Sequence, residues 1–242
     1  MKLDVAFTPG ELAGGAAGER TVVVIDVLRA TSTILEALVN GAHAVVPVAS
    51  VEAAVTKAQE IGRDQVILCG ERGGEPIPGF QLGNSPLEFT TERVAGRTLV
   101  MTTTNGTRAL LIGATAARCF VGCFLNALAV ARAVCDAGGD VLLLCAGREG
   151  RFALEDALCA GMIARGIAAS SDGRPTPNDA ARTAAWLARR RGAAIERSIA
   201  RTAAGKHLQR LGRTDEVKYC AQVDRHPRVP AVRDRRVTLL PA

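Results

Sequence analysis

Short apolar runs alternate with helical patterns over the first 170 residues of the chain. The runs that predict strands are residues 3–7, 21–26, 44–48, 65–69, 97–102, 118–121 and 140–145. Apolar residues at helical spacing predict helices over residues 31–40, 51–61, 106–113, 126–137 and 153–168. Strands separated by helices of this length form βαβ units in a parallel or mixed sheet. We therefore expect an α/β fold for residues 1–172, with helices on both faces of the sheet in a three-layer α/β/α arrangement.

A Ser/Gly/Pro-rich break at residues 170–177 separates this region from the rest of the chain. Residues 173–242 are predicted to be mainly helical, and Asn178 or Thr176 could cap the first helix. Residues 236–240 could return as a strand. No flexible linker is evident, so we expect the C-terminal segment to pack on the same domain.

Composition narrows the class of protein. Hydrophobic residues make up 48% of the chain, but no apolar run approaches the roughly 20 residues that cross a bilayer. The first residues lack the apolar stretch of a signal peptide, which predicts a cytoplasmic protein. Seven cysteines without a C-x-x-C pair argue against a disulfide framework and a zinc ribbon.

The net charge of +6 would permit nucleic acid as a partner. Most of the excess arginine lies in residues 182–236, on what the pattern indicates are exposed helix faces, and aromatic residues make up only 3% of the chain. Single-strand binding depends on aromatic stacking, so we do not expect nucleic acid to bind. A basic helical segment beside a sheet is compatible with a homo-oligomer.

The most informative segment is residues 22–33, an apolar strand followed by polar residues that open a helix. Asp26 and Arg29 are predicted at the carboxyl end of the strand, where open α/β sheets bind their ligands. Three hydroxyl residues follow at the helix N-terminus, where free amides attract anions: Thr31, Ser32 and Thr33. A carboxylate, a cation and an anion site in one segment indicate phosphate chemistry.

A long loop at residues 70–86 contains five glycines and three prolines. Such loops inside a compact domain are usually functional. Ser85, Pro86 and Glu88 are predicted to form a capping box at the next helix. Three other polar residues remain available to a ligand: Glu71, Arg72 and Asn84.

The strand at residues 97–102 is followed by a turn rich in hydroxyls and amides. More hydroxyls are present than a helix cap needs, which favours an anion-binding turn. Its candidate substrate-binding residues are Thr103, Thr104, Asn105, Gly106 and Thr107.

The last strand of the α/β region ends at Cys145, and Glu155 and Asp156 follow in the next helix. These two acids could hold a divalent cation with Asp26, since Mg²⁺ uses one or two carboxylates together with phosphate oxygens, or they could merely complement the helix dipole. Cys145 and Arg151 also fit the C-x5-R pattern of cysteine-dependent phosphatases, in which a thiolate attacks phosphorus. The residues next to this pattern differ from those in such enzymes.

Other phosphate signatures are absent from the sequence. It contains no P-loop, no G-x-G-x-x-G after a strand, no D-x-D beginning at Asp26 and no histidine pair with metal-ligand spacing. Nucleotide folds, haloacid-dehalogenase-type phosphatases and zinc hydrolases are therefore disfavoured.

Taken in order, these segments resemble the 2-phosphosulfolactate phosphatase (ComB-like) family over nearly the whole chain. The segments that carry the resemblance are residues 25–33, 70–72, 79–80, 82–86, 102–107, 145–147, 155–156, 215–221 and 224–230. The resemblance implies a Mg²⁺-dependent phosphatase that acts on a small anionic phosphoester. It would hydrolyse 2-phospho-3-sulfolactate, or a similar small phosphorylated acid, to 3-sulfolactate and phosphate on the way to coenzyme M.

The resemblance also implies roles for the candidate residues. Asp26, with Glu155, Asp156 or both, would hold Mg²⁺ or position water, and Arg29, Arg72 and the 102–107 hydroxyls would bind phosphate and sulfonate oxygens. Two alternatives stay open at this point: a phosphatase that uses Cys145 as nucleophile, and a non-catalytic protein that binds anions or nucleic acid.

Overall fold

The computed structural model describes residues 1–12, 17–171 and 173–241. The end of the predicted α/β region, Asp172, lies outside the described residues. Within them the chain forms a mixed α/β fold built on one 11-stranded sheet, which confirms the predicted fold class. No helix in the described ranges is long and apolar enough to cross a membrane.

The predicted strands and helices are present, with their ends shifted by only a few residues. The strands are β1 (Lys2–Ala6), β2 (Thr21–Ile25), β3 (Ala44–Pro47), β4 (Val66–Arg72), β5 (Glu75–Pro76), β6 (Thr98–Thr102), β7 (Arg118–Gly122), β8 (Val141–Cys145), β9 (Thr176–Pro177), β10 (Pro230–Arg233) and β11 (Arg236–Leu239). The helices are α1 (Ala30–Val39), α2 (Val51–Ile61), α3 (Thr91–Val94), α4 (Gly106–Gly113), α5 (Ala127–Ala137), α6 (Leu154–Ser170), α7 (Asp179–Arg191), α8 (Ile195–Ala200), α9 (Ala203–Arg210) and α10 (Thr214–Cys220).

The sheet consists of two parallel groups that are joined by an antiparallel hairpin from the C-terminal segment, and β5 is antiparallel to β4 at one edge. The strand order is β5-β4-β6-β3-β11-β10-β7-β2-β8-β1-β9. Ala231 of β10 pairs with Phe120 of β7, and Val237 of β11 pairs with Val45 of β3. The C-terminal segment is thus more than a helical layer, because its last residues complete the middle of the sheet. The short strands β5 and β9, the strand β10 and the helix α3 were not predicted.

Helices cover both faces of the sheet, as the all-apolar β2 requires. Val23 and Ile25 pack on one face in a cluster with residues of α5 and α6. Val22 and Val24 pack on the other face in a cluster with residues of α1 and α4. These strand residues are fully buried, which contributes about 1.5–3 kcal/mol for each side chain.

The cluster under α1 and α4 contains residues from both parallel groups, among them Val45 and Leu99 from one and Leu142 and Leu144 from the other. These two helices begin directly after β2 and β6. Their N-terminal ends are therefore held near one another, so the loops that follow distant strands can meet.

At the start of α7 the predicted cap is present. The Asn178 side chain accepts a hydrogen bond from the amide of Ala181 at 2.8 Å, which satisfies one of the free donors of the helix N-terminus.

Candidate active site

The loops that follow β2, β4, β6 and β8 line one pocket, together with residues of α6 and α9. Asp26 lies in it directly after β2. Gly106, the first residue of α4, lies so close that a β-carbon on it would be 2.5 Å from Asp26 Oδ2 and 2.5 Å from Ala30 Cβ. Only glycine allows α4 to approach Asp26 and α1 this closely.

Four buried carboxylates line the pocket: Asp26, Glu71, Glu155 and Asp156. Burial and the charge of Glu71 raise the pKa of Asp26 to about 7, although the Ala30 amide and Arg29 lower it. Burial and the charges of Asp26 and Glu155 raise the pKa of Asp156 well above its usual value. The four residues come from the loop after β2, the end of β4 and the start of α6, so the fold concentrates negative charge here. Such clusters of shifted acids are typical of functional sites.

Asp156 is held by backbone amides. Its Oδ1 accepts a hydrogen bond from Val27 at 2.9 Å, and its Oδ2 accepts one from Gly147 at 3.1 Å. Both oxygens are therefore engaged in joining α6 to the loops after β2 and β8. Asp156 therefore stabilises the loop after β2 that contains Asp26, called the Asp26 loop below. Glu155 is the less constrained of the two α6 acids.

Burial raises the pKa of Glu155, although its own amide, the Thr202 hydroxyl and the charge of Arg148 lower it. Arg148 lines the pocket on the loop after β8. Glu155 therefore faces the pocket between one basic residue and a cluster of acids.

Glu71 ties the turn after β4 to the turn after β6. Its Oε1 accepts a hydrogen bond from the Thr104 amide at 2.7 Å, and its Oε2 accepts bonds from the Gly74 amide at 2.7 Å and the Thr104 hydroxyl at 3.2 Å. Asn105 continues this contact, since its Oδ1 accepts a hydrogen bond from the Glu149 amide at 2.9 Å. Glu71 thus organises the rim of the pocket while carrying one of its charges.

Asn84 is the polar side chain whose environment points most directly to a ligand. It lines the pocket and is only 3% exposed, yet its Oδ1 has no hydrogen-bond partner among the described residues. A buried polar atom without a partner costs free energy, and a bound group that satisfies it would remove the cost. Its amide can present either a donor or an acceptor to such a group.

Arg29 also lines the pocket, where it is 3% exposed. One terminal nitrogen forms an ion pair with Glu216, and the other donates to the Gly74 carbonyl at 2.8 Å. Arginine has five N–H donors, and these two contacts with described residues use two of them.

Helix α9 completes the pocket, a contribution that the sequence did not predict. Ala204, His207 and Leu208 of α9 line it, and the His207 ring lies 2.8 Å from the Gly73 carbonyl through Nε2. A lone histidine on a polar helix carries no recognisable signal, so only the tertiary structure assigns it to this site.

The three hydroxyls that open α1 do not face the pocket. They are fully buried and bonded to the protein: Thr31 to the backbone of Asp26, Ser32 to the carbonyl of Val27 and Thr33 to the carbonyl of Asn84. The expected anion site of Thr31, Ser32 and Thr33 is therefore absent from the pocket lining. These hydroxyls shape the Asp26 loop and position Asn84.

The polar residues of the turn after β6 also fall into two groups: some bond within the protein, and others line the pocket. Thr103 and Thr107 bond each other, since the Thr103 hydroxyl accepts from the Thr107 amide at 3.0 Å and the Thr107 hydroxyl accepts from the Thr103 amide at 3.2 Å. Both are buried and neither lines the pocket. Thr104 and Asn105 do line it, and Gly106 contacts Asp26.

Two expectations for the 70–86 loop are not met. Arg72 is exposed, lies outside the pocket lining and donates to the Glu71 carbonyl at 2.7 Å and the Thr102 hydroxyl at 3.0 Å. The predicted capping box does not form, because Ser85 makes no side-chain cap and Glu88 accepts from the Gly83 amide at 2.8 Å instead.

Cys145 is fully buried in the cluster that packs on α5 and α6, and it does not line the pocket. Burial, with the charges of Asp156, Glu11 and Glu155, raises the pKa of its thiol well above the usual value. A nucleophilic cysteine needs access and a lowered pKa. Both properties argue against the cysteine-nucleophile alternative.

The donor chemistry of the pocket suits Mg²⁺, which prefers carboxylate and amide oxygens. Asp26, Glu155 and the partnerless Oδ1 of Asn84 provide such atoms. In the described part of the chain no three His, Cys, Asp or Glu side chains are grouped so that they could hold a metal by themselves. Mg²⁺ commonly needs only one or two carboxylates when a substrate phosphate and water complete its coordination.

A pocket lined by buried acids at the strand ends is typical of α/β enzymes, because open α/β sheets bind their ligands there. A family model described as 2-phosphosulpholactate phosphatase matches residues 6–235. The chain belongs to this family and is a phosphoric monoester hydrolase. The alternative of a non-catalytic protein is therefore wrong.

Similar proteins cover nearly the same length. The chain is 43% identical over 231 residues to a protein of Symbiobacterium thermophilum, covering 95% of this chain and 96% of that protein. It is 41% identical over 220 residues to one of Caldanaerobacter subterraneus, covering 89% of each. A Thermotoga maritima protein is 40% identical over 213 residues, covering 88% of this chain and 89% of that protein. All three are named probable 2-phosphosulfolactate phosphatase.

Proposed function

We propose that this enzyme hydrolyses 2-phospho-3-sulfolactate to 3-sulfolactate and inorganic phosphate, with Mg²⁺ as its cofactor. The observation that carries the proposal is the meeting of Asp26, Glu155, Arg29 and Asn84 in one pocket at the strand ends. The names of the similar proteins support the substrate.

The charge of the pocket supports the need for a metal ion. Its lining contains five acids but only two arginines and one histidine: Asp26, Glu71, Glu149, Glu155 and Asp156 against Arg29, Arg148 and His207. The proposed substrate carries a phosphate, a sulfonate and a carboxylate. Those of the acids that are ionised would repel such a polyanion, and a cation bound among them would reduce this repulsion.

Asp26 and Glu155 are the residues we assign to Mg²⁺, because they are buried acids without the two amide contacts that engage Asp156. When bound, Mg²⁺ would neutralise charge on the transferring phosphoryl oxygens. Arg29 would pair with substrate oxygens through its free N–H groups, and the Asn84 amide would orient a second polar group.

The reaction forms a bond from a water oxygen to phosphorus and breaks the ester P–O bond. The water loses a proton and the leaving alkoxide gains one, so no net oxidant or reductant is needed. The chain's own contribution is to place the anion beside Arg29, keep the acids of the pocket close to the attacking water and hold these groups rigid through Asp156 and Glu71.

A phosphate-release assay tests the proposal. The protein is stripped with EDTA and supplied with 2-phosphosulfolactate, phospholactate or 3-phosphoglycerate, with and without Mg²⁺. We expect activity only with added Mg²⁺ and the highest kcat/KM for 2-phosphosulfolactate. Full activity in EDTA would refute the metal assignment. A clear preference for another ester would refute the substrate but not the phosphatase class.

A further inference from the structure

A chain of charged contacts joins the C-terminal helix α10 to the pocket. Glu216, on α10, is 6% exposed and forms a buried ion pair with Arg29 through Oε2. Its Oε1 accepts from Arg213 at 3.2 Å, and the other terminal nitrogen of Arg213 lies 3.3 Å from Glu75 Oε2. The contacts alternate in sign from the pocket to the protein surface, so each charge has a partner.

The same contacts hold the glycine turn between β4 and β5, which lines the pocket. The Gly74 carbonyl accepts from Arg29 at 2.8 Å, and the His207 ring lies 2.8 Å from the Gly73 carbonyl. Gly74 has φ +89°, and a β-carbon on it would lie 3.0 Å from Leu211 and 3.1 Å from His207. The turn is therefore clamped against α9 and depends on glycine at this position.

Other carboxylates line the pocket together with Arg29. Asp26 and Glu71 line the same pocket, but in the described residues the ion pair of Arg29 is made with Glu216, outside the pocket lining. The ion pair engages one terminal nitrogen of Arg29, and the charge of Arg29 still lowers the pKa of Asp26. Among the described residues, Glu216 and the Gly74 carbonyl accept two of the five N–H donors of Arg29.

Stability alone is a weak reason for such a pair. Removing two charges from water is costly, and well-packed apolar residues in their place are often at least as stable. A role for Arg29 in binding a ligand in the pocket explains the pair better than stability does.

We propose that Glu216 is a positioning residue for substrate binding. It fixes the guanidinium of Arg29 toward an anionic group of the substrate and, through Arg213 and Glu75, anchors the glycine turn at the pocket rim. This inference rests on the proposed function, because it takes the ligand of Arg29 to be an anion of the phosphoester or of its phosphate product.

The test compares Glu216→Gln with Asp215→Asn, a matched control one residue away on α10. Asp215 is exposed and pairs only with Lys218 at the surface in the described structure. Inorganic phosphate serves as the probe, and its Kd is measured by isothermal titration calorimetry beside steady-state KM and kcat. We expect Glu216→Gln to raise KM and the phosphate Kd at least tenfold, with a smaller change in kcat. Asp215→Asn should stay within twofold of the wild type.

A double variant shows whether Glu216 acts through Arg29. In an Arg29→Gln background, adding Glu216→Gln should change the phosphate Kd by less than twofold. Glu216→Asp keeps the charge and should recover much of the affinity, and it provides a measurable variant if Glu216→Gln folds poorly.

Unchanged KM and phosphate Kd in Glu216→Gln, with only a lower Tm, would overturn the proposal in favour of a structural ion pair. Losses that add in the double variant would also overturn it. Failure of the wild type to hydrolyse 2-phosphosulfolactate would refute the proposed substrate. Phosphate binding that still depends on Glu216 would nevertheless support the positioning role.

Discussion

Asp156 accepts a hydrogen bond from the backbone amide of Val27 at 2.9 Å, across 129 positions of sequence. Its other oxygen accepts from Gly147. The acid that follows Glu155 on α6 therefore fixes the residue next to Asp26, and the pocket is assembled by a carboxylate that need not touch the substrate.

Replacing Asp156 with alanine should misplace the Asp26 loop. Two buried amides would lose their acceptor, at a cost of about 1–3 kcal/mol each, partly offset by relief of repulsion with Asp26 and Glu155. We expect kcat to fall at least tenfold in a phosphate-release assay. Asp136→Ala, at an exposed site on α5, is the control. Wild-type kcat in Asp156→Ala would rule out this supporting role.

Asp26→Asn should lower the activity of the enzyme while raising its thermal stability. The substitution removes a buried charge that burial and Glu71 disfavour. We expect activity to fall at least a hundredfold, while Tm of the EDTA-treated protein at pH 8 rises by about 2–4 °C for each kcal/mol of repulsion relieved. Thermal denaturation and phosphate release on the same preparation measure both effects. A lower Tm with activity retained would contradict the assignment.

The metal-free enzyme should lose stability as pH rises from about 4 to about 7. The pKa of Asp26 is about 7 in the folded chain against 3.8 for the free group, so the folded state binds more protons within this window. The free energy of unfolding then decreases with pH. Shifts of Glu155 and Asp156 act in the same direction.

Urea denaturation in EDTA between pH 4 and pH 8 measures this slope. Asp26→Asn should make the slope shallower, and an identical slope in both proteins would show that Asp26 does not contribute.

Gly106→Ala should damage the site without removing any functional group. The new methyl would lie 2.5 Å from Asp26 Oδ2 and from Ala30 Cβ, so α4 or the Asp26 loop must shift. We expect kcat/KM to fall at least tenfold. Gly192→Ala is the matched control, because a β-carbon there meets nothing within 4 Å. Equal activity of the two variants would show that the close approach is dispensable.

Cys145→Ala should retain near-normal turnover. The thiol is buried with a raised pKa and lies outside the pocket lining, so the expected effect is a modest loss of stability from the lost packing. Cys159, on α6, is another buried cysteine, so Cys159→Ala is the control for the effect of lost packing alone. Loss of activity in Cys145→Ala alone would restore the cysteine mechanism.

The sequence predicted the site best where local patterns carry the information. Asp26, Glu71, Glu155 and Asp156 follow strands or open a helix, and the structure brings all four into one pocket. The sequence was less informative for hydroxyl residues, because a hydroxyl group can bind a ligand or form a hydrogen bond with the protein's own backbone. Thr31 and Thr103 bond within the protein, and nothing local to either residue distinguishes the two uses.

The sequence by itself determined the α/β class, the order of most elements and the acids at the strand ends, because periodicity and strand-end chemistry are local properties. The tertiary structure alone decided that β10 and β11 complete the middle of the sheet, that His207 lines the pocket and that Glu216 holds Arg29. These contacts join residues far apart in the chain, and their partners are chosen by packing and charge pairing in the folded molecule.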